Sequence, residues 1–405
     1  MHYFIGCGAN DIYHNVVDAI NKLGESVSPR GIATKEICPA VVQFTDPIRR
    51  FLMVPGRNIN PFFQVMESIW ILGGRGDVAW ISRYLKAIER YSDGKKEFNA
   101  PYGSRMRYYG YHRSLADISY VNNKFAFQDQ FYNCFKFLSN DPYSRHATMV
   151  FWDPRFDNPV IETIDRPCNV AFHFLIRNEA LSLSIFNRSN DVHWGLFNAN
   201  VVQFSIILEA MAFALGVKVG LETHFIDSLH YYVDNPITDS ILSLRKKFIN
   251  IYDVISPKKF HDSCPQFDKS TNAFTRYSFL CDEIANFFNN EYNIYEYVNN
   301  KKRKPPLIKE DGHILYFRDA SYLSCIFWLM INKQVDEALD LFNELEYDDI
   351  FITCLEYVYR RFLSEYSKIS TIENLVSSRF MDILNKNSIK QSILNYIFSS
   401  SMQEK

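Results

Sequence analysis

The clearest alternation of apolar and polar positions lies in ALSLSIFN, where Leu181, Leu183 and Ile185 alternate with Ser182 and Ser184. A period of two predicts a strand over 180–187 with one buried face. The preceding NVAFHFLI predicts a partner strand over 169–176, joined to it through Arg177-Asn178-Glu179. PFFQVMESIWIL, residues 61–72, predicts a helix: Asn60 can cap it and Pro61 suits its first turn. Residues 200–215 are almost wholly apolar and stop at Gly216, so they predict a buried helix. VGLETHFIDSLHYYV, residues 219–233, reads as one further extended segment. Hairpin, long helix and strand in that order predict an α/β (α+β) fold, a mixed sheet with packed helices. Beyond about residue 240 the texture changes. Residues 257–318 carry turn residues and the run KKRKPP at 301–306, which reads as a solvated linker. Residues 319–365 and 370–398 read as helical with mixed charge. Two parts follow: a main domain over 1–310 and a helical C-terminal extension over 311–405, expected to serve assembly or partner contact.

Composition narrows the class. Of 405 residues, 47% are hydrophobic and 22% charged, which supports a large core and excludes global disorder. A net charge of −2 weighs against general attraction to phosphate backbones, so no direct nucleic-acid binding is expected. The eight cysteines, at 7, 38, 134, 168, 264, 281, 325 and 354, show no two-residue gap of a zinc knuckle or redox pair. No metal is expected. The start MHYFIGCGANDIYHN lacks a secretory pattern, and SCIFWLMI at 324–331 is shorter than a bilayer span. A reduced cytoplasmic protein is expected, off the membrane, with most thiols buried and inert.

Candidate chemistry concentrates in Arg166-Pro167-Cys168 and Asn187-Arg188-Ser189-Asn190-Asp191. A guanidinium beside a cysteine favours thiolate over thiol and makes the cysteine a candidate nucleophile. Further on, Gly195 precedes an Asn-led helix, and THFIDSLHYY supplies a His-x-Tyr pair. Upstream stand MESIWILGG at 66–74, PYGSRMR at 101–107 and SRHATMVFW at 144–152. This ordered set, over roughly residues 25–240, resembles the thymidylate synthase family. THFIDSLHYY is similar to its sister branch, the nucleotide hydroxymethylases often encoded by phages.

The resemblance implies a thymidylate-synthase-like mixed sheet and a catalytic main domain. It implies that Cys168 adds to carbon 6 of a pyrimidine nucleoside monophosphate, making carbon 5 enolate-like. Arg188 would lower the thiol pKa and bind the nucleotide phosphate, and Ser189 would add a hydrogen bond there. Arg145 would reach across a homodimer to the partner's phosphate; the family's adjacent second arginine is His146 here. Glu67 would be a general base working through water, with Tyr102 in the same proton network. Asp191 would accept hydrogen bonds from the pterin of 5,10-methylenetetrahydrofolate. His230 and Tyr232 would meet the sugar 3′-hydroxyl, and Arg30 in SPRGIATKE would belong to a phosphate loop. The family pattern Gly-x-Pro-Phe-Asn reads Gly195-Leu196-Phe197-Asn198-Ala199-Asn200, with one residue inserted. Either Asn198 or Asn200 stands at the base-selecting position, and both amides fit uracil, whose edge offers a donor and an acceptor. The leading expectation is dUMP to dTMP. The alternative is hydroxymethylation of dUMP or dCMP, and a second alternative is a non-catalytic nucleotide-binding scaffold on the same fold. A phage-encoded enzyme would act in the host cytoplasm.

Overall fold

The computed structural model describes the chain except residues 55, 111–127, 159–162, 244–249, 261–266, 269, 301–312 and 367–379; beyond 380 it describes 382–385, 389, 393–394 and 397. Strand β1 (His2–Gly6) and helix α1 (Ala9–Leu23) are followed by β2 (Glu25–Val27), β3 (Thr34–Ile37) and β4 (Ala40–Phe44). Helix α2 (Pro61–Leu72) begins as expected, with the Asn60 side chain accepting from the Phe63 N–H at 3.1 Å. Short helices α3 (Val78–Ile81) and α4 (Tyr102–Arg107) lead to α5 (Gln130–Asn140), β5 (Thr148–Val150) and α6 (Pro154–Asp157). The predicted hairpin is β6 (Asn169–Arg177) and β7 (Ala180–Asn187). It turns at Asn178 and Glu179, both left-handed at φ 51° and 60°, the conformation that matches strand twist in a two-residue turn.

After the short β8 (Asn190–Asp191), residues Val192–Asn200 form a π-helical stretch that runs directly into α7 (Val201–Leu215). The left-handed Gly216 ends α7. Then come β9 (Lys218–Ile226), β10 (Leu229–Tyr232), α8 (Pro236–Ser243) and α9 (Ala273–Asn300). The last described helices are α10 (Leu315–Ile331), α11 (Val335–Phe342) and α12 (Asp349–Tyr366).

The strands form a six-stranded mixed sheet, β1-β4-β9-β7-β6-β5, and a four-stranded one, β2-β3-β10-β8. Helix α7 packs on β7 and β9 and is buried along its length. On the other face, register aligns Tyr3, Val41, Phe225, Phe186, Ala171 and Val150 in one row across the large sheet. Tyr3, Phe186, Phe225 and Val150 in that row are exposed, and the Phe186 and Phe225 rings stack 5.2 Å apart.

Several expectations change. Residues 219–233 are two strands in different sheets, because Asp227 and Ser228 break the run between β9 and β10. The stretch 257–318 contains the 28-residue helix α9, whose many Asn and Tyr residues give no helical signature in isolation. KKRKPP lies outside the described residues. Val192–Leu215 has the length and apolarity of a membrane span, contrary to the reading that no segment does; 94% of its most apolar window is buried inside the fold. Only three of the seven described thiols, those of Cys134, Cys325 and Cys354, are buried, while Cys7 and Cys38 are exposed.

The helices beyond residue 310 place their apolar faces on the rest of the fold rather than on an outer surface. Tyr316 Oη meets Ser68 Oγ at 2.9 Å, and Phe62 packs against Phe327 and Tyr357. Tyr84 Oη bonds Ser324 and Glu291, each at 2.9 Å, so α10 and α9 close together on the segment after α2. These contacts make the described part of the extension a buttress on α2, the helix that carries Glu67.

Candidate active site

Cys168 lies immediately before β6, and Arg188 immediately after β7, so the hairpin register brings them together. The Arg188 N–H donates to the Cys168 carbonyl at 3.0 Å. Its guanidinium donates to the carbonyls of Pro167 and Arg166 at 3.0 and 3.3 Å, and Nη2 comes within 3.9 Å of Sγ. Tyr102, on α4, fixes the same strand end: its hydroxyl accepts from the N–H groups of Cys168 and Asn169 at 3.0 and 3.1 Å. Cys168 itself is half-buried. Burial pushes its thiol up; Arg188, then Arg30, pull it down without cancelling that. Arg188 thus lowers the thiol pKa as expected, and burial outweighs it; the guanidinium also serves two carbonyls and meets sulfur only at 3.9 Å.

Asp191 sits at the other end of the segment that starts with Arg188. Its Oδ1 caps the π-helical stretch, accepting from the N–H groups of His193 and Trp194 at 2.7 and 3.2 Å. Burial raises its carboxyl, while the neighbouring His230 counters that rise. His230 faces Asp191 across the β8–β10 pairing and packs edge-on against Tyr232, whose phenol feels the charges of Asp191, Arg30 and Cys168. Arg30 is exposed, in the tight turn between β2 and β3. Thus Cys168, Arg188, Tyr102, Arg30, Asp191, His230 and Tyr232 surround one region.

A second group joins it through amides. Asn200 Nδ2 donates to Asn190 Oδ1 at 3.4 Å, and Asn190 Nδ2 donates to Asn187 Oδ1 at 3.2 Å. Gly195 must be glycine here, since a Cβ would collide with the Asn190 amide. Asn198 is instead held by Gln64, which donates to its carbonyl and side-chain oxygen at 2.7 and 2.8 Å. Glu67 on α2 is hydrogen-bonded to Gln203 on α7, yet burial prevails and pushes its carboxyl up to about 8. The one-residue insertion in the Gly195–Asn200 pattern coincides with the π-helical stretch, the usual form in which a helix absorbs an extra residue.

Of the remaining expected residues, Ser189 adjoins Arg188 and Arg145 stands apart within one chain. Ser189 is half-buried in the turn between β7 and β8. Arg145 is exposed ahead of β5, its carbonyl in contact with His173 Nε2, beside the bare face of the large sheet. Sequence reasoning missed three neighbours of Asp191. Arg57 is buried, donates to the His193 carbonyl at 2.6 Å and lowers the Asp191 carboxyl. Trp194 and Tyr91, both half-buried, stack 6.4 Å apart, and Trp194 continues the stack onto Phe63. Only an unusual aromatic following a cap residue hinted at this wall.

Comparison with known proteins gives the family. The profile described as thymidylate synthase matches residues 11–303. The chain belongs to the thymidylate synthase family. It is 34% identical to the deoxyuridylate hydroxymethyltransferase of Bacillus phage SP01 over 389 residues, covering 93% of this chain and 98% of that protein. Its likeness to the deoxyuridylate hydroxymethyltransferase of Pseudomonas phage M6, at 32%, covers 48% of this chain and 51% of that protein. A putative thymidylate synthase of Methanothermobacter marburgensis is 29% identical, over 51% of this chain and 81% of the relative. The protein is thus an enzyme of the thymidylate synthase-like methyl- or hydroxymethyltransferase type, and the scaffold alternative falls away.

Proposed function

We propose that this enzyme converts dUMP to its 5-hydroxymethyl derivative with 5,10-methylenetetrahydrofolate as one-carbon donor, in a cytoplasm. The observation that carries the reading is the length of the likeness to the Bacillus phage SP01 hydroxymethyltransferase. It takes in 93% of this chain, and so extends into the helices beyond residue 303, where the family profile ends. The methyl product, dTMP, is the second reading, favoured by the likeness to a putative thymidylate synthase. Incubation with dUMP and methylenetetrahydrofolate decides between them by product mass. The proposal expects a product heavier than dTMP by one oxygen and no rise in dihydrofolate absorbance; dTMP with dihydrofolate would overturn it.

In this reading the Cys168 thiolate adds to carbon 6 and Arg188 faces the phosphate, with Arg30 and Ser189 beside it. Asn200 is the better placed of the two amides to read uracil, since Gln64 already holds Asn198. His230 and Tyr232 meet the sugar. The residues around Asp191 fit a folate: a carboxylate for ring N–H groups and the half-buried Trp194 and Tyr91 as an aromatic wall. When bound, the folate supplies a one-carbon unit at the oxidation level of formaldehyde. Glu67, once ionised, would take the carbon 5 proton through water, and with the reduced folate leaving on its carbon–nitrogen bond pair the ring would keep an exocyclic methylene for water to attack.

The bare sheet face supports a homodimer, with Arg145 at its rim serving the partner's phosphate. Phe225→Asp is expected to yield monomers in analytical ultracentrifugation and to weaken dUMP binding. A dimer that persists with full affinity would count against this interface.

A further inference from the structure

Helices α2 and α7 pack against each other along faces that are mostly apolar. Polar side chains interrupt both. Gln64 and Glu67 stand three residues apart on α2, and Asn200 and Gln203 three apart at the start of α7, spacings that put each pair on one helix face. Gln64 and Gln203 are only 1% and 3% exposed. The Gln64 donor serves Asn198, and Gln203 is bonded to Glu67. Three oxygens are then left over. Gln64 Oε1, Glu67 Oε2 and Gln203 Oε1 are sealed from solvent with no hydrogen-bond partner among the described residues.

Each such acceptor destabilises the fold unless a donor reaches it. A protonated Glu67 can satisfy one. A water molecule donates twice and suits a buried site with two to four polar partners. The Gln64 donor is accounted for by Asn198 and the Gln203 donor by Glu67, but neither bond accounts for the acceptor left bare on each amide beside the candidate base.

We propose that Gln64 and Gln203 are positioning residues that hold a water molecule against Glu67, and that this water is the nucleophile that makes the product hydroxymethyl rather than methyl. The inference rests on the hydroxymethyl reading above. Glu67 first releases the carbon 5 proton to solvent; the water oxygen then bonds to the exocyclic methylene carbon, and its proton passes to the carboxylate so regenerated. The methylene π pair moves through carbon 5 into the 4-carbonyl. It returns to form the carbon 5–carbon 6 double bond as the bond from carbon 6 to sulfur breaks, and Cys168 leaves as thiolate beside Arg188. One water is consumed, and no oxidant or reductant is needed.

The test uses the full-length enzyme and its Gln64→Met and Gln203→Met variants, which keep volume and remove the acceptors. Three quantities are read: folate-independent debromination of 5-bromo-dUMP, single-turnover release of tritium from carbon 5 of dUMP, and hydroxymethyl product. Debromination and dUMP affinity should stay within a few-fold of wild type, and so should the tritium burst when read well above pH 8, where loss of the Gln203 donor no longer limits ionisation of Glu67. Product formation should fall about 10²-fold behind the burst, the scale of a misplaced reactant. A crystal structure of the unliganded wild type should show a water about 3 Å from at least two of the three oxygens, and it decides the matter if the variants do not fold. Product and tritium release falling together in a folded variant, an unchanged partition, or an absent water would each overturn the inference while leaving the hydroxymethyl reading intact. A wild-type enzyme that makes only dTMP would remove both.

Discussion

Cys168→Ala eliminates turnover, by at least about 10⁴-fold, and forms no covalent complex with 5-fluoro-dUMP and folate on a denaturing gel. Carbon 5 of a pyrimidine has little nucleophilicity until a sulfur adds to carbon 6, so loss of the sulfur removes the route itself rather than slowing one step. Binding of dUMP should survive within a few-fold. Arg188 is anchored by the Pro167 and Arg166 carbonyls and by its backbone bond to the Cys168 carbonyl, none of which needs Sγ. Calorimetric titration with dUMP checks this. An alanine variant that still forms the adduct would assign the nucleophile to another residue.

Glu67→Gln should lower kcat by about 10²–10⁴-fold, the range of a lost general base. It should also change the pH profile. Burial holds the carboxyl up to about 8, so most of it is neutral at pH 7 and it ionises as the pH climbs. A base works only when ionised, so wild-type kcat/KM should rise through about pH 8. The glutamine variant should lose that limb and keep the separate rise from the Cys168 thiol. Stability moves the opposite way. The folded chain favours the neutral carboxyl, a preference fully present below the ordinary value of 4.5 and lost as the pH rises through about 8. Glu67→Gln should therefore unfold at a higher temperature than wild type near pH 8, which separates a chemical defect from a folding defect. A variant that is both less active and less stable would point to a structural role.

Local patterns made the core of the site legible. The alternation of Leu181, Leu183 and Ile185 fixes which face of the hairpin is buried, and the hairpin then sets Cys168 beside Arg188. The Asn60 cap and Pro61 mark the start of α2, and so the helix that carries Glu67. What escaped depends on contacts between distant segments. Nothing near Tyr102 announces that its hydroxyl receives two N–H groups from residues 66 and 67 positions later. Helix α9 is too polar and asparagine-rich to stand out alone; it gains its form by packing on α10 and on the segment around α3, where Trp80 and Tyr84 both donate to its Glu291. Gln64 and Gln203 are invisible for the opposite reason, since single amides in apolar helices look like surface positions until both neighbours are known to be buried.

An extra residue in an α-helix ordinarily rotates everything downstream by about 100°. Here the extra residue falls in the π-helical stretch over Val192–Asn200, whose turns hold more residues, between Asp191 on one side and the helix from Val201 on the other. Those two points are natural splice junctions. A chimaera could exchange this cassette with a shorter relative's and leave both ends in register.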